Sequence, residues 1–208
     1  MALLRPRFPI PVFRFPASGY HDSSFRHQMT EPNLERRHEA DRIAARISEV
    51  AAQIDREAND QRLVLMGVLK GSSFLVADLA RRISIPIVCE YISVRREEDP
   101  SQVLQIDFST NFDVAGRPVL LLKDVVGTGI IENYLSDHLR SHGATLVRLA
   151  AIIDKADDRT TDIVVDYPLF SASGGLFAGY GMEFQGRYAQ LPYIAEILGT
   201  RPGRATGQ

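Results

Sequence analysis

The sequence predicts an α/β protein whose parallel sheet is flanked by helices. Three observations carry that expectation. Two short runs, Leu63–Leu69 and residues 118–122, are wholly apolar; amphipathic helical periodicity precedes the first and follows the second; and each run ends in a loop containing glycine. An apolar run too short for a helix suits a strand buried on both faces. Strands of that kind alternating with helices favour a parallel sheet with right-handed crossovers.

The elements follow in order. Ile43, Ile47, Val50 and Ile54 recur at helical spacing, predicting a helix over residues 39–57. The first buried strand, Leu63–Leu69, leads through Lys70-Gly-Ser-Ser73 into a helix over 74–82, and strands are expected at 85–94 and 103–108 with a polar stretch between them. The second buried strand leads through Gly127-Thr-Gly129 into a helix with Ile131, Tyr134, Leu135, His138 and Leu139 on one face. Gly143 is its expected C-terminal cap. Residues 145–153 and 162–167 complete the strands.

At 208 residues the chain is long enough for one domain with a sizeable core. Its 45% apolar and 24% charged composition is that of an ordinary globular protein. A formal net charge of −2 gives no overall field to draw in a nucleic acid or an anionic membrane. No stretch approaches the ~20 apolar residues of a membrane span. Cys89 lies in an apolar run and reads as a buried structural thiol, and the five histidines lack metal-ligand spacing. His138 and His142 are expected at the surface. Residues 1–30 hold Arg5, Arg7, Arg14 and Arg26, but Pro6, Pro9, Pro11 and Pro16 break any helix or apolar signal core. They read as a disordered extension or as a start set upstream of a true start at Met29. The domain proper is expected over 31–198, with 199–208 a flexible tail.

Two loops at strand ends are candidates for chemistry. Leu69-Lys-Gly-Ser-Ser-Phe74 offers a glycine for close backbone approach to an anion, while Ser72 or Ser73 equally suits a helix N-cap. Lys123-Asp-Val-Val-Gly-Thr-Gly129 is a phosphate cradle or a tight structural turn, and spacing alone leaves both open.

Residues 119–129, Val-Leu-Leu-Leu-Lys-Asp-Val-Val-Gly-Thr-Gly, resemble the phosphoribosyl-pyrophosphate (PRPP) signature of type I phosphoribosyltransferases. Gly67-Val-Leu-Lys-Gly-Ser72, Asp154-Lys155, Gly179-Tyr-Gly-Met182 and Leu191-Pro-Tyr-Ile194 are similar to hypoxanthine-guanine phosphoribosyltransferases, in order and in spacing from Leu34 to Leu198. The resemblance implies a parallel core sheet, a small hood built from both chain ends, and a cytoplasmic homo-oligomer, dimer or tetramer. It assigns Lys70, Gly71 and Ser72 to pyrophosphate, and Gly127, Thr128 and Gly129 to the 5′-phosphate. Asp124 is the surviving acid at the ribose hydroxyls, Lys155 the reader of a purine 6-oxo group, and Leu176 or Phe177 the cover of the base. Asp124 and Glu183 are the positions toward Mg2+. The implied partners are PRPP and a purine base or nucleotide, without nucleic acid or membrane.

Departures fall on the chemistry. Lys123 stands where the family has an acid, and Gly127 where it has the acid that accepts the purine ring proton. Ile131 replaces a hydroxyl residue, Glu183 an aspartate and Ala189 an arginine. The usual Ser-Tyr pair of the flexible loop is missing from residues 95–100. Three readings follow: phosphoribosyl transfer in weak or altered form, with Mg2+ in doubt because of Lys123; a silent sensor of purine nucleotide or PRPP; and a structural subunit of an active paralogue.

Overall fold

Both apolar runs become central strands. In chain order the computed structural model has β1 (Asn33–His38), α1 (Ala40–Glu57), β2 (Leu63–Leu69), α2 (Ser73–Ala80), β3 (Ile87–Arg95) and β4 (Gln105–Phe108). Then come β5 (Pro118–Val126), α3 (Ile130–Ser141), β6 (Leu146–Asp154), β7 (Tyr167–Ser171), β8 (Phe177–Ala178) and β9 (Ile194–Leu198). Residues 32–58, 62–95, 105–108 and 113–199 are described. Expectations for residues 1–30, for the charged loop at 96–100 and for the tail past 199 lie outside them.

The main sheet runs β4-β3-β2-β5-β6-β7, and β1-β9-β8 form a separate three-stranded sheet, the hood expected from the two chain ends. β3, β2, β5, β6 and β7 are mutually parallel, and β4 joins antiparallel at the edge. Alternation along the central strands explains their continuous hydrophobicity. Leu65, Leu120 and Leu122 face a cluster with Ile47, Leu75 and Leu79 of α1 and α2. Val64, Met66, Val119 and Leu121 face Leu135 and Leu139 of α3. Each large side chain buried this way contributes about 1.5–3 kcal/mol, so residues 63–68 of β2 and 119–122 of β5 leave no position for a polar residue.

Three expectations shift. The last strand of the main sheet starts at Tyr167, not at residue 162, and contains Pro168. As an edge strand β7 tolerates a proline that cannot donate to the ladder. Val165 is buried without strand pairing, and the Asp166 carboxylate accepts the Leu149 N–H at 2.8 Å, so residues 162–166 pack as a loop. α3 is rolled from its expected face: Glu132, Leu135, Ser136 and Leu139 are buried, while Tyr134 is exposed. Its outer side carries a ring stack of Tyr134, His138 and His142. Gly143 ends the helix as expected, with φ +87°. Cys89 is exposed, not buried, because β3 lies next to the edge strand, away from the two central strands that the helices cover. Among the described residues no helix is long and apolar enough to cross a membrane.

At the amino-terminal ends of the strands, Tyr167 donates its phenol proton to Glu57 at 2.7 Å, and Arg148 pairs with the same carboxylate. Burial, followed by the hydrogen bond to Glu57, pushes the Tyr167 phenol up to about 12. The unfolded phenol titrates near ~10, so the unfolded chain releases this proton first as pH rises. The stability it contributes is therefore complete below about pH 10 and is lost on the way to about pH 12. In Tyr167→Phe, chemical denaturation at stepped pH should show a shallower alkaline decline than in the parent chain.

Candidate active site at the ends of the central strands

β2 and β5 lie side by side, with Gly67 opposite Leu122, yet their onward connections part. The chain leaves β2 through α2 over one face toward β3, and leaves β5 through α3 over the other face toward β6. A crevice opens beyond carboxyl ends that diverge in this way, and α/β sheets bind ligands there. Both candidate loops, 70–72 and 124–129, fall on it.

The glycine of the first loop is needed for the chain's own anion. A Cβ on Gly71 would lie 2.6 Å from Asp124 Cγ, well inside van der Waals contact, so the Asp124 carboxylate rests on bare backbone. Asp124 Oδ1 accepts the Val125 N–H at 2.9 Å and is ion-paired with the Lys123 ammonium. Ser72 occupies the N-cap position of α2 but makes no side-chain cap. Its buried hydroxyl donates to the Val68 carbonyl at 2.8 Å, so what Ser72 offers an anion is its backbone. Lys70 is exposed at the mouth.

The second loop is an N–H cradle. The Gly127 carbonyl accepts Arg159 Nε at 2.9 Å, and the Thr128 carbonyl accepts the Thr160 N–H at 3.0 Å and the Thr161 hydroxyl at 3.2 Å. In a trans peptide the N–H points opposite the carbonyl. Tying two consecutive carbonyls to residues 159–161 therefore turns the N–H groups of Thr128 and Gly129 to the other side. There they join the unsatisfied amides of the first turn of α3, an arrangement suited to a phosphate. Arg159 is itself held by Asp154 and by the Ile163 carbonyl at 2.8 Å.

Lys155 lies directly after β6, its N–H bonded to the Val126 carbonyl at 2.9 Å. Its ammonium donates to the Gly175 carbonyl and sits 5.6 Å from the Phe177 ring centre. Phe177 and Leu176 are half-buried beside it, and Phe177 also borders a cavity of about 410 Å³ with Arg37, His38 and Ser173. A smaller apolar cavity between Ile54, Leu120 and Tyr167 lies at the opposite end of the strands, away from every candidate residue. The hood motif meets the first loop: the Gly181 backbone packs on the Gly71 carbonyl, and Tyr180 donates to Asp78 at 2.6 Å. Glu183 is exposed just beyond, and the Ala189 carbonyl accepts the Gly181 N–H at 2.9 Å.

Two residues of this region were not singled out by sequence. Glu132, in the first turn of α3, is buried, and desolvation raises its pKa, opposed by its own backbone amide and by the nearby Lys123 ammonium. In the sequence it resembles an ordinary acid at a helix start. Arg159 is one loop arginine among many; its spacing of four from Lys155, after a strand end, was the available signal. Gly127 has nothing within 4 Å of where a Cβ would stand, so among the described residues the position opens onto free space with no carboxyl beside it.

A cradle of outward-turned amides and a lysine at the switch point of a parallel sheet, beside a small hood, fit a type I phosphoribosyltransferase. Comparison with known proteins agrees. Residues 35–185 match the phosphoribosyl transferase domain. The hypoxanthine-guanine phosphoribosyltransferase of Mycobacterium tuberculosis H37Rv is 32% identical over 167 residues, covering 76% of this chain and 83% of that protein. The Dictyostelium discoideum enzyme of the same name is 30% identical over 162 residues, covering 74% and 90%. A hypoxanthine-guanine phosphoribosyltransferase structure from Bacillus anthracis superposes with a TM-score of 0.74 at 24% identity, covering 81% of this chain and all of that one. The chain belongs to the hypoxanthine-guanine phosphoribosyltransferase family.

Enzymes of this family generally depend on Mg2+, and the residues here do not fit that ion. The strand-end carboxylate nearest the loops, Asp124, already carries the Lys123 ammonium, whose positive charge repels a second cation. No group of three or more acidic, histidine or cysteine side chains among the described residues could hold a metal.

The packing of Gly71 on Asp124 makes a direct prediction. Gly71→Ala should destabilise by about 1–3 kcal/mol through overpacking. Asp124→Ala removes the nearest carboxylate atoms, so the double variant should lose less than the sum of the two singles. Additive losses in urea denaturation would show that the contact is not made.

Proposed function

We propose that the chain is a hypoxanthine/guanine phosphoribosyltransferase-like protein of purine salvage that binds a 6-oxopurine and PRPP and transfers slowly. The carrying observation is a retained cradle beside an empty base position: the amides of Thr128 and Gly129 are turned outward by Arg159, Thr160 and Thr161, while Gly127 leaves open space.

The residues divide the substrates between them. The amides of Gly127, Thr128 and Gly129 take the 5′-phosphate at the start of α3. The Lys70-Gly71-Ser72 loop meets the pyrophosphate through backbone donors and the Lys70 ammonium. Asp124 accepts from the ribose hydroxyls. Lys155 donates to the purine 6-oxo group, a choice that excludes adenine, whose 6-amino group is itself a donor. Leu176 and Phe177 close over the ring. Transfer breaks the bond between ribose C1′ and the pyrophosphate oxygen and forms one from C1′ to a purine ring nitrogen. The cradle can stabilise the developing charge, but the proton leaving the purine finds no acceptor at Gly127. General base catalysis is worth ~10²–10⁴-fold, so turnover should fall short of the family's by about that factor.

The same vacancy favours the second reading, a silent sensor of purine nucleotide or PRPP, in which binding persists and transfer is absent. Assembly as a homo-oligomer, dimer or tetramer, belongs to the same proposal.

Incubating the purified chain with PRPP, Mg2+ and hypoxanthine or guanine, and following pyrophosphate and nucleotide, separates the readings. Slow product formation supports the enzyme, and binding of GMP without product leaves the sensor. Turnover equal to that of an ordinary relative would sink both. Lys123→Glu combined with Gly127→Asp should raise turnover by at least about tenfold if proton acceptance is the missing contribution.

A further inference from the structure

We infer that Lys123 is a built-in counter-cation that lets this site bind the pyrophosphate-bearing ligand without a divalent metal. The inference deepens the proposed function and rests on its reading of the site as one for PRPP. Lys123 lies within β5, one residue past Leu122, which pairs with Gly67 of β2, so it stands near the level at which the chain leaves β2 for the Lys70 loop. Its ammonium is held on Asp124 Oδ1, and the same carboxylate lies against the bare backbone of Gly71. The positive charge is thereby fixed between the pyrophosphate loop and the phosphate cradle. The Lys123 side chain is only 18% exposed, so it does not wander as a surface lysine does.

Charge in the crevice points the same way. Lys123 is paired with Asp124 and Arg159 with Asp154, and Lys70 and Lys155 stand at the two loops beside them. Buried Glu132 lies near enough to Lys123 and Asp124 for their charges to act on it, so a second carboxyl group accompanies the one that Lys123 pairs with. Such a setting holds an ammonium in place, and toward the mouth Lys70 and Lys155 have no carboxylate partner among the described residues. A pyrophosphate ester needs cations distributed along it. Here they are supplied by side chains, and a divalent ion would have to displace one of them.

The test uses the full chain in titration calorimetry with PRPP and, separately, with GMP, each in EDTA and in Mg2+. GMP lacks the pyrophosphate and reads the proposed function; PRPP with and without metal reads the counter-cation. PRPP affinity should change by less than about twofold between the two conditions. Lys123→Met should weaken PRPP about ten- to hundredfold in EDTA, the worth of one charge-assisted hydrogen bond, while leaving GMP much less affected. Lys123→Arg, which keeps the charge, should restore most of the loss, and Lys123→Glu should make PRPP binding depend on Mg2+. GMP binding together with PRPP binding that requires Mg2+ in the parent chain would overturn the inference and leave the proposed function standing. So would unchanged PRPP affinity in Lys123→Met. Failure of a chain with native circular dichroism to bind either ligand would overturn both. The comparison of parent chain with and without metal needs no variant to fold.

Discussion

The parallel pairing of β2 with β5 is the constraint on which everything else rests. Two strands buried on both faces can accept only apolar side chains, and their crossovers must then run over opposite faces to cover both. That divergence opens the crevice. The cost of leaving backbone groups unpaired in it is met differently on its two sides. On one side the Gly71 backbone lies flat against Asp124; on the other the carbonyls of Gly127 and Thr128 turn back to Arg159, Thr160 and Thr161. An anion-binding surface results from ordinary packing requirements met at the edge of a core.

Within that frame the chain has changed charge while keeping shape. The cradle, the lysine after β6 and the hood contacts are those that the fold itself requires, because the carbonyls of the cradle and the Lys155 amide are tied into neighbouring backbone. Positions 123 and 127 are less constrained. Gly127 faces open space, so loss of an acid there leaves no cavity in the core and no unsatisfied partner. Lys123 pairs with Asp124 and lies near Glu132, so a positive charge is accommodated where a negative one would be repelled by both. The fold therefore does not depend on which residues stand at positions 123 and 127.

Arg159 connects these two levels. A single guanidinium joins the end of β6, the cradle and the loop before β7 through Asp154, the Gly127 carbonyl and the Ile163 carbonyl. It touches the site only from behind, and its planar fork suits it to hold three acceptors in fixed directions. The orientation of the Thr128 and Gly129 amides is therefore set by the loop after β6, the same loop that carries Lys155.

The sequence by itself determined the order of strands and helices in the main sheet, the pairing of candidate loops with strand ends, and the family, but not the three short strands of the hood. Those properties are written in local periodicity and in motifs of neighbouring residues. Only the tertiary structure decided which strands are edges, and hence that Pro168 falls inside β7, that β4 runs antiparallel and that Cys89 meets solvent. It also decided the roll of α3 that buries Glu132, the inward hydroxyl of Ser72 and the contact of Gly71 with Asp124. Each of these joins residues far apart in the chain or depends on which face a neighbour covers, and local sequence carries no record of either. The Lys123 substitution was legible as a change of sign; its placement on Asp124 and near Glu132 was not, because the direction of a long side chain is set by the charges around it.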